Sequence, residues 1–241
     1  MTPKRMLLAA AALILVIALI TPGCSDKTLT STAVDTNPDS GALAYLPLTD
    51  GWRVSYVFLE PESGQLDIEV ADPVMVVGNP GFTVRKTDPN GPYSEVCYRY
   101  AKGDAIFESN SLHDPGVRIL EAPFVIGNSW DRNDTSTTSS VITDLGGDSG
   151  DGTGGGVTFK TKSDGSYSTM SIVSIEDVRA LNDITYGHCI KVAWQTGPST
   201  CDYYWYAPGI GLVKFEHDVD LLNLSADHTS GVMTDYQNVT Y

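Results

Sequence analysis

The chain has 241 residues, of which 15 are Lys or Arg and 30 are Asp or Glu, for a formal net charge of −15 at pH 7. A chain this acidic lacks the Lys/Arg stripe that neutralises phosphates, so the composition argues against nucleic acid as a partner. Anionic lipid head groups would repel it everywhere except at an anchor.

The first 23 residues read as a secretory signal. Lys4 and Arg5 give a basic start, Met6 to Ile20 form an unbroken apolar run, and Thr21-Pro22-Gly23 lead into Cys24. A membrane-spanning helix needs about 20 apolar residues. The run is shorter, and Pro22 and Gly23 break a helix where a spanning one would continue. The segment resembles a lipobox: Gly23 and Cys24 match the pattern, whereas Thr21 and Pro22 depart from it. The resemblance implies cleavage before Cys24 and acylation of that cysteine, with several acyl chains giving stable attachment. Cys24 is therefore the expected lipid attachment site. Cleavage removes Lys4 and Arg5 and no acid, taking the formal charge from −15 to −17. Ser25 rather than Asp follows the cysteine, which in a Gram-negative cell resembles the signal for release to the outer membrane, facing the periplasm or the surface.

Residues 24–44 comprise the acylated Cys24 and a stretch rich in Ser, Thr and Asp with few large apolar residues. It reads as a disordered tether, and as a coil of about 20 residues it would span roughly 25 Å.

Residues 45–241 then suffice for one all-β domain with a sizeable core. Trp52–Leu59, Gln65–Val70, Phe82–Lys86 and Leu212–Glu216 alternate or cluster β-branched and aromatic residues over short runs. Pro61–Gly64, Asn79-Pro80-Gly81, Asp88–Gly91, Ser163–Gly165 and Ala207-Pro208-Gly209 read as turns spaced for consecutive hairpins rather than βαβ crossovers. Ile175–Asn182 is the one stretch able to hold a helical turn, and its neighbours favour strand. The expected architecture is a single antiparallel meander, strongly curved or partly closed into a barrel to protect its edges. Residues 144–156, almost entirely Gly, Asp, Ser and Thr, read as an exposed loop inserted between two strands.

The signals that could carry chemistry are weak. Gly147-Asp148-Ser149-Gly150 resembles the GDSG of trypsin-like proteases, but it lies in low complexity, and His113, the only upstream candidate partner, sits in a turn-like stretch. Asp144, Asp148 and Asp151 could offer Ca²⁺ hard oxygen ligands, yet neither an EF-hand run nor a calcium β-roll repeat is present. His188 and Cys189 are adjacent in a strand and so should diverge. His113, His188, His217 and His228 show no metal-ligand spacing.

Cys97, Cys189 and Cys201 allow at most one disulfide. A hairpin turn at Gly197-Pro198-Ser199 would set Cys201 opposite about Trp194 and leave Cys189 further along the ladder, out of bridging range. Cys97 with either partner stays open beside the simpler reading of three buried free thiols. Tyr203–Tyr206, with Trp194 across the hairpin, form the densest aromatic patch. Cys201, Tyr203 and Trp205 should share one face, with Tyr204 and Tyr206 on the other, so one face could stack on a glycan or cover an apolar ligand while the other is core.

Four segments together carry a family resemblance. Tyr45–Trp52 with Tyr56, Pro123–Trp130, Tyr186–Val192 and Trp205–Lys214 resemble the ordered motifs of a broad set of uncharacterised bacterial lipoproteins and secreted β-proteins, whose pattern runs from a "PL-x-x-G-x-x-W" segment to a "YAPG-x-G-x-V-K" segment. The resemblance implies an antiparallel sheet curled around a core and no particular reaction. The motif residues are fold markers: Gly51 and Gly127 lead into buried indoles, and Pro208-Gly209 fits a type II turn. None is a nucleophile, base or ligand, so neither catalytic residue nor cofactor nor metal is assigned. The expected function is a non-enzymatic, lipid-anchored envelope protein that binds or builds. A hydrolase using carboxylates such as Asp67, Glu69, Glu95 and Asp202 is the second reading, and a calcium-stabilised surface protein the third.

Overall fold

The computed structural model describes residues 41–59, 63–135, 167–181, 183–224 and 226–237. The signal segment, Cys24, most of the expected tether and the 144–156 loop, with its GDSG and candidate calcium ligands, lie outside the described residues.

Among the described residues twelve strands follow in chain order: β1 (Arg53–Leu59), β2 (Gly64–Val76), β3 (Asn79–Thr87), β4 (Ser94–Lys102), β5 (Ala105–Ser109), β6 (Val117–Glu121), β7 (Ser129–Asp131), β8 (Thr169–Arg179), β9 (Thr185–Gln195), β10 (Thr200–Ala207), β11 (Gly211–Asp220) and β12 (Thr229–Gln237). They form one antiparallel sheet in the order β6-β5-β4-β3-β2-β1-β12-β11-β10-β9-β8-β7. The two edge strands are consecutive in the chain, and Arg118 N–H donates to the Arg132 carbonyl at 2.7 Å across the gap between them. The meander is thus nearly closed into a barrel, as the hairpin spacing predicts. Ile175–Arg179 continues β8 with no helical turn.

Cross-strand register identifies the inner wall. Tyr56 pairs with Leu66 and Met233, Phe82 with Arg99, Arg99 with Glu108, Ile106 with Leu120, and Tyr204 with both Val192 and Phe215. Ile106 and Leu120 pack in one cluster with Ile172, Ile190, Val192 and Tyr206 from the far side of the sheet, so the barrel is filled by side chains. A short 3₁₀ turn at Ala42–Ala44 and the following Tyr45 and Leu46 join this cluster. The packed domain accordingly includes Ala42, ahead of the expected start at residue 45.

Two sequence expectations need correction. Asn79-Pro80-Gly81 is not a turn but the start of β3, and the reversal is made by Val77 (φ 47°) and Gly78 (φ 77°), the pair of positive φ values that a two-residue hairpin requires. Gly81 is needed for space instead: a Cβ there would lie 2.5 Å from the Arg99 carbonyl oxygen and 2.8 Å from Tyr100 Cβ. The second correction is one of register, since Cys201 pairs with Gln195, and Trp194 faces Asp202. The turn at Pro208-Gly209 has the expected form, with Gly209 at φ 72° and Ile210 N–H bonded to the Ala207 carbonyl. Trp52 and Trp130 are both buried, each one residue or a few after a positive-φ glycine, Gly51 or Gly127.

Candidate functional site

The aromatic strand β10 presents two different environments. Tyr203 and Trp205 lie on the outer wall, flanked by Lys191 of β9 and Lys214 of β11. The Lys191 ammonium sits 4.1 Å from the Tyr203 ring centre and 4.6 Å from that of Trp205, and the Lys214 ammonium lies 4.4 Å from the Trp205 ring centre. The Trp205 indole N–H donates to Glu176, and Lys214 pairs with Glu216 at 2.6 Å. Trp205 is only 3% exposed. The Trp205 ring is therefore packed against the protein's own cations, which gain from the ring face what a ligand would. Burial lowers the affinity of Lys191 for its proton, with Glu176 and Glu216 opposing that shift. On the inner wall Tyr206 is buried in the core, as alternation requires. Burial pushes its hydroxyl up to about 12.

The thiols are buried and unpaired: Cys97, Cys189 and Cys201 are all free. Burial raises Cys97 to about 11 and Cys189 and Cys201 to about 12, so each stays protonated at neutral pH. His188 is exposed and Cys189 is wholly buried, its Sγ 3.3 Å from the Tyr186 carbonyl, so the two side chains diverge as expected. His113 is exposed, and His228 lies 3.9 Å from Glu216. Among the described residues, no three His, Cys, Asp or Glu side chains gather at metal-binding distance.

The carboxylates named from the sequence divide between the two walls. On the inner wall Asp202 is buried, accepting the Tyr204 hydroxyl at 3.1 Å and the Asp218 N–H at 2.9 Å, with His217 Nδ1 at 3.4 Å. Glu95 is 3.9 Å from Lys86. The main inner ion cluster was not legible in the sequence. Glu108 accepts from Lys86 at 2.9 Å and from Arg99 at 2.8 Å, all three on adjacent strands of the inner wall. Burial by itself would raise the Glu108 carboxyl, but the charges and hydrogen bonds of Arg99 and Lys86 outweigh it and hold the group down to about 2. A second buried pair joins Arg118 to Glu121. Arg132 lies 3.8 Å over the Trp194 ring.

Asp67 and Glu69 belong to the outer wall, where β12, β1, β2 and β3 form a groove of about 380 Å³. Its walls are two cross-strand rows: Gln237, Arg53, Glu69 and Arg85 in one, and Asp235, Ser55, Asp67 and Thr87 in the other. Glu69 is bridged by Arg53 at 2.5 Å and Arg85 at 3.5 Å, and Arg85 also reaches Asp72. Asp67 accepts from Gln65 at 3.3 Å. The four named carboxylates are thus split between two surfaces rather than gathered in one cleft.

No family model matches the chain, and no curated protein matches it. Two solved structures are similar to it. One is a predicted exported protein with a YmcC-like fold from Bacteroides fragilis, 13% identical, covering 80% of this chain and 99% of its own, with a TM-score of 0.44. The other is a predicted lipoprotein from Parabacteroides distasonis, 15% identical, covering 80% of this chain and 98% of its own, with a TM-score of 0.42.

Proposed function

We propose that the protein is a lipid-anchored cell-envelope protein whose barrel is a non-enzymatic binding or structural module. The observation that carries the anchoring is the run from Lys4-Arg5 through the apolar 6–20 segment to Gly23-Cys24. In a Gram-negative cell, Ser25 supports the outer membrane as the destination. The module reading is supported by how the reactive groups are engaged: the thiols are protonated in the core, and Glu69, Glu108, Glu121 and Asp202 each answer to a neighbouring donor. A ligand of the barrel would be polar. The β12-β1-β2-β3 groove is lined by Arg, Asp, Glu, Gln, Ser and Thr together with Val54, Ile68 and Tyr236, a mainly polar surface suited to the hydroxyls of a glycan.

Mass spectrometry of the membrane-extracted protein tests the anchoring: the mature chain should begin at Cys24 and carry acyl mass. An unmodified N-terminus at any other residue would refute it. Titration of the barrel with envelope glycans, followed by backbone amide shifts, should move residues 53–55, 67–69 and 235–237 first. Shifts elsewhere, with these silent, would refute the groove assignment.

A further inference from the structure

The chain joins the barrel at one end, through the 3₁₀ turn Ala42–Ala44 and Tyr45, and that end carries an apolar step. Tyr45 packs against Phe124 in a tilted arrangement with ring centres 4.5 Å apart, which brings the turn against the connection between β6 and β7. Leu43 lies two residues before Tyr45, and Val125 and Ile126 directly follow Phe124. These three side chains are 50%, 47% and 57% exposed. The spacing of consecutive Cα atoms and the ring contact bound the separation of their Cα atoms at about 30 Å. The neighbouring backbone is fixed, with Gly209 N–H bonded to the Ala44 carbonyl and Ala122 N–H to the Asp104 carbonyl. A firm frame therefore holds apolar side chains exposed close in sequence to Gly41, the first described residue, and on the β6–β7 connection that Tyr45 touches.

Seventeen positions separate Cys24 from Gly41. A flexible chain of that length reaches roughly 20–25 Å, short enough that a lipid on Cys24 would let this end of the barrel touch the bilayer surface. We propose that Leu43, Val125 and Ile126 rest on the bilayer and orient the barrel, with zwitterionic lipid as the partner. This rests on the acylation of Cys24 read above. The choice of lipid follows from charge: an acidic chain, with Asp104 beside this end, is repelled by anionic head groups, so the contact is apolar. Leu222 and Leu224 are also exposed, but they follow β11 at the end opposite Gly209, about 30 Å away along the strand, and serve as an internal control.

The test couples residues 24–241 through Cys24 to a maleimide phospholipid in phosphatidylcholine vesicles. The other three cysteines are buried, and the linkage fixes anchoring whether or not cells acylate Cys24. Amide hydrogen exchange in residues 41–46 and 122–127 should slow about tenfold relative to the same chain capped with a soluble maleimide, while residues 221–224 stay unchanged. Val125→Asp combined with Ile126→Asp should abolish the slowing and leave exchange in β9 and β10 as it was. Equal rates on and off the vesicle overturn the proposal, as does slowing that needs anionic lipid or that extends equally to 221–224. Mass spectrometry of the cellular N-terminus reports separately on acylation, so the two readings fail by different measurements.

Discussion

Replacing Glu108 by Gln isolates the inner ion cluster, because Gln keeps the side-chain shape and removes the charge that Arg99 and Lys86 share. The Glu108 side chain is 18% exposed, and those of Arg99 and Lys86 are 11% and 17% exposed, so solvent screens the three groups weakly. Their attraction holds the Glu108 carboxyl at about 2 against an ordinary value of 4.5, a difference worth on the order of 3 kcal/mol of folding stability. Loss of one member of a buried ion pair costs about 3–5 kcal/mol, which agrees in size. Because the folded-state value is depressed, the contribution is complete above the unfolded value near 4.5 and is lost as pH falls toward 2. Urea unfolding from pH 7 to pH 2 should therefore show Glu108→Gln about 3 kcal/mol less stable than wild type at pH 7. The gap should hold down to about pH 5 and close by about pH 2. Stability curves that stay parallel over the whole range, or a gap under about 1 kcal/mol at pH 7, would show that the cluster does not stabilise the barrel.

Three other outcomes follow from the same geometry. Titration with a thiol reagent at pH 8 should find Cys97, Cys189 and Cys201 unreactive in the folded chain and three thiols in denaturant; fast native reaction of any one would contradict its burial. Trp205→Phe removes the indole bond to Glu176 and weakens the contacts with Lys191 and Lys214, and should cost about 1–2 kcal/mol in urea unfolding. An unchanged midpoint would mean that the lysines do not depend on the ring. Gly81→Ala forces β3 and β4 apart at the Arg99 carbonyl and should lower the melting temperature by several degrees, whereas Gly209→Ala, where a Cβ meets open space, should cost only the strain of its positive φ. Equal losses at the two glycines would refute the distinction.

The meander was legible because hairpin turns and alternating strands are local signals. Trp52, Trp130 and the Pro208-Gly209 turn behave as their positions in the sequence suggest. What escaped reading depends on which strands meet. Lys86, Arg99 and Glu108 lie on three strands, and nothing in their local sequence distinguishes them from the polar face of a half-exposed sheet; only the register turns all three inward. Which face of the aromatic strand is open could not be told from the sequence, because Lys191 and Lys214 become neighbours of Trp205 only through pairing with β9 and β11. Pro80-Gly81 misled for the opposite reason. Its composition is that of a turn, but the glycine answers a tertiary contact with Arg99 that no local rule contains.

The motif segments acquire a common physical role once placed on the barrel. A nearly closed sheet has a weak place, the seam between its edge strands, and here those edges are among its shortest: β6 has five residues and β7 three. The Pro123–Trp130 segment spans this seam. Gly127 N–H bonds to the Ile172 carbonyl, the Asn128 side chain reaches back to the Pro123 carbonyl at 2.9 Å, and Trp130 packs into the core with Phe124. Tyr45–Trp52 secures the end of the barrel beside the seam: Tyr45 packs against Phe124, and Trp52 lies 3.4 Å from where a side chain at Gly211 would begin. The Tyr186–Val192 and Trp205–Lys214 segments supply the wall opposite β5 and β6, with Ile190, Val192 and Tyr206 facing Ile106 and Leu120. A sequence that holds these four segments in order therefore specifies how a twelve-stranded meander closes. The charged rows of the outer groove lie outside these segments, and the side chains of Leu43, Val125 and Ile126, about half exposed, add little to the packing that closes the seam. The binding test therefore addresses groove residues outside all four segments, and the membrane test addresses the two side chains of Pro123–Trp130 that point away from the seam it closes.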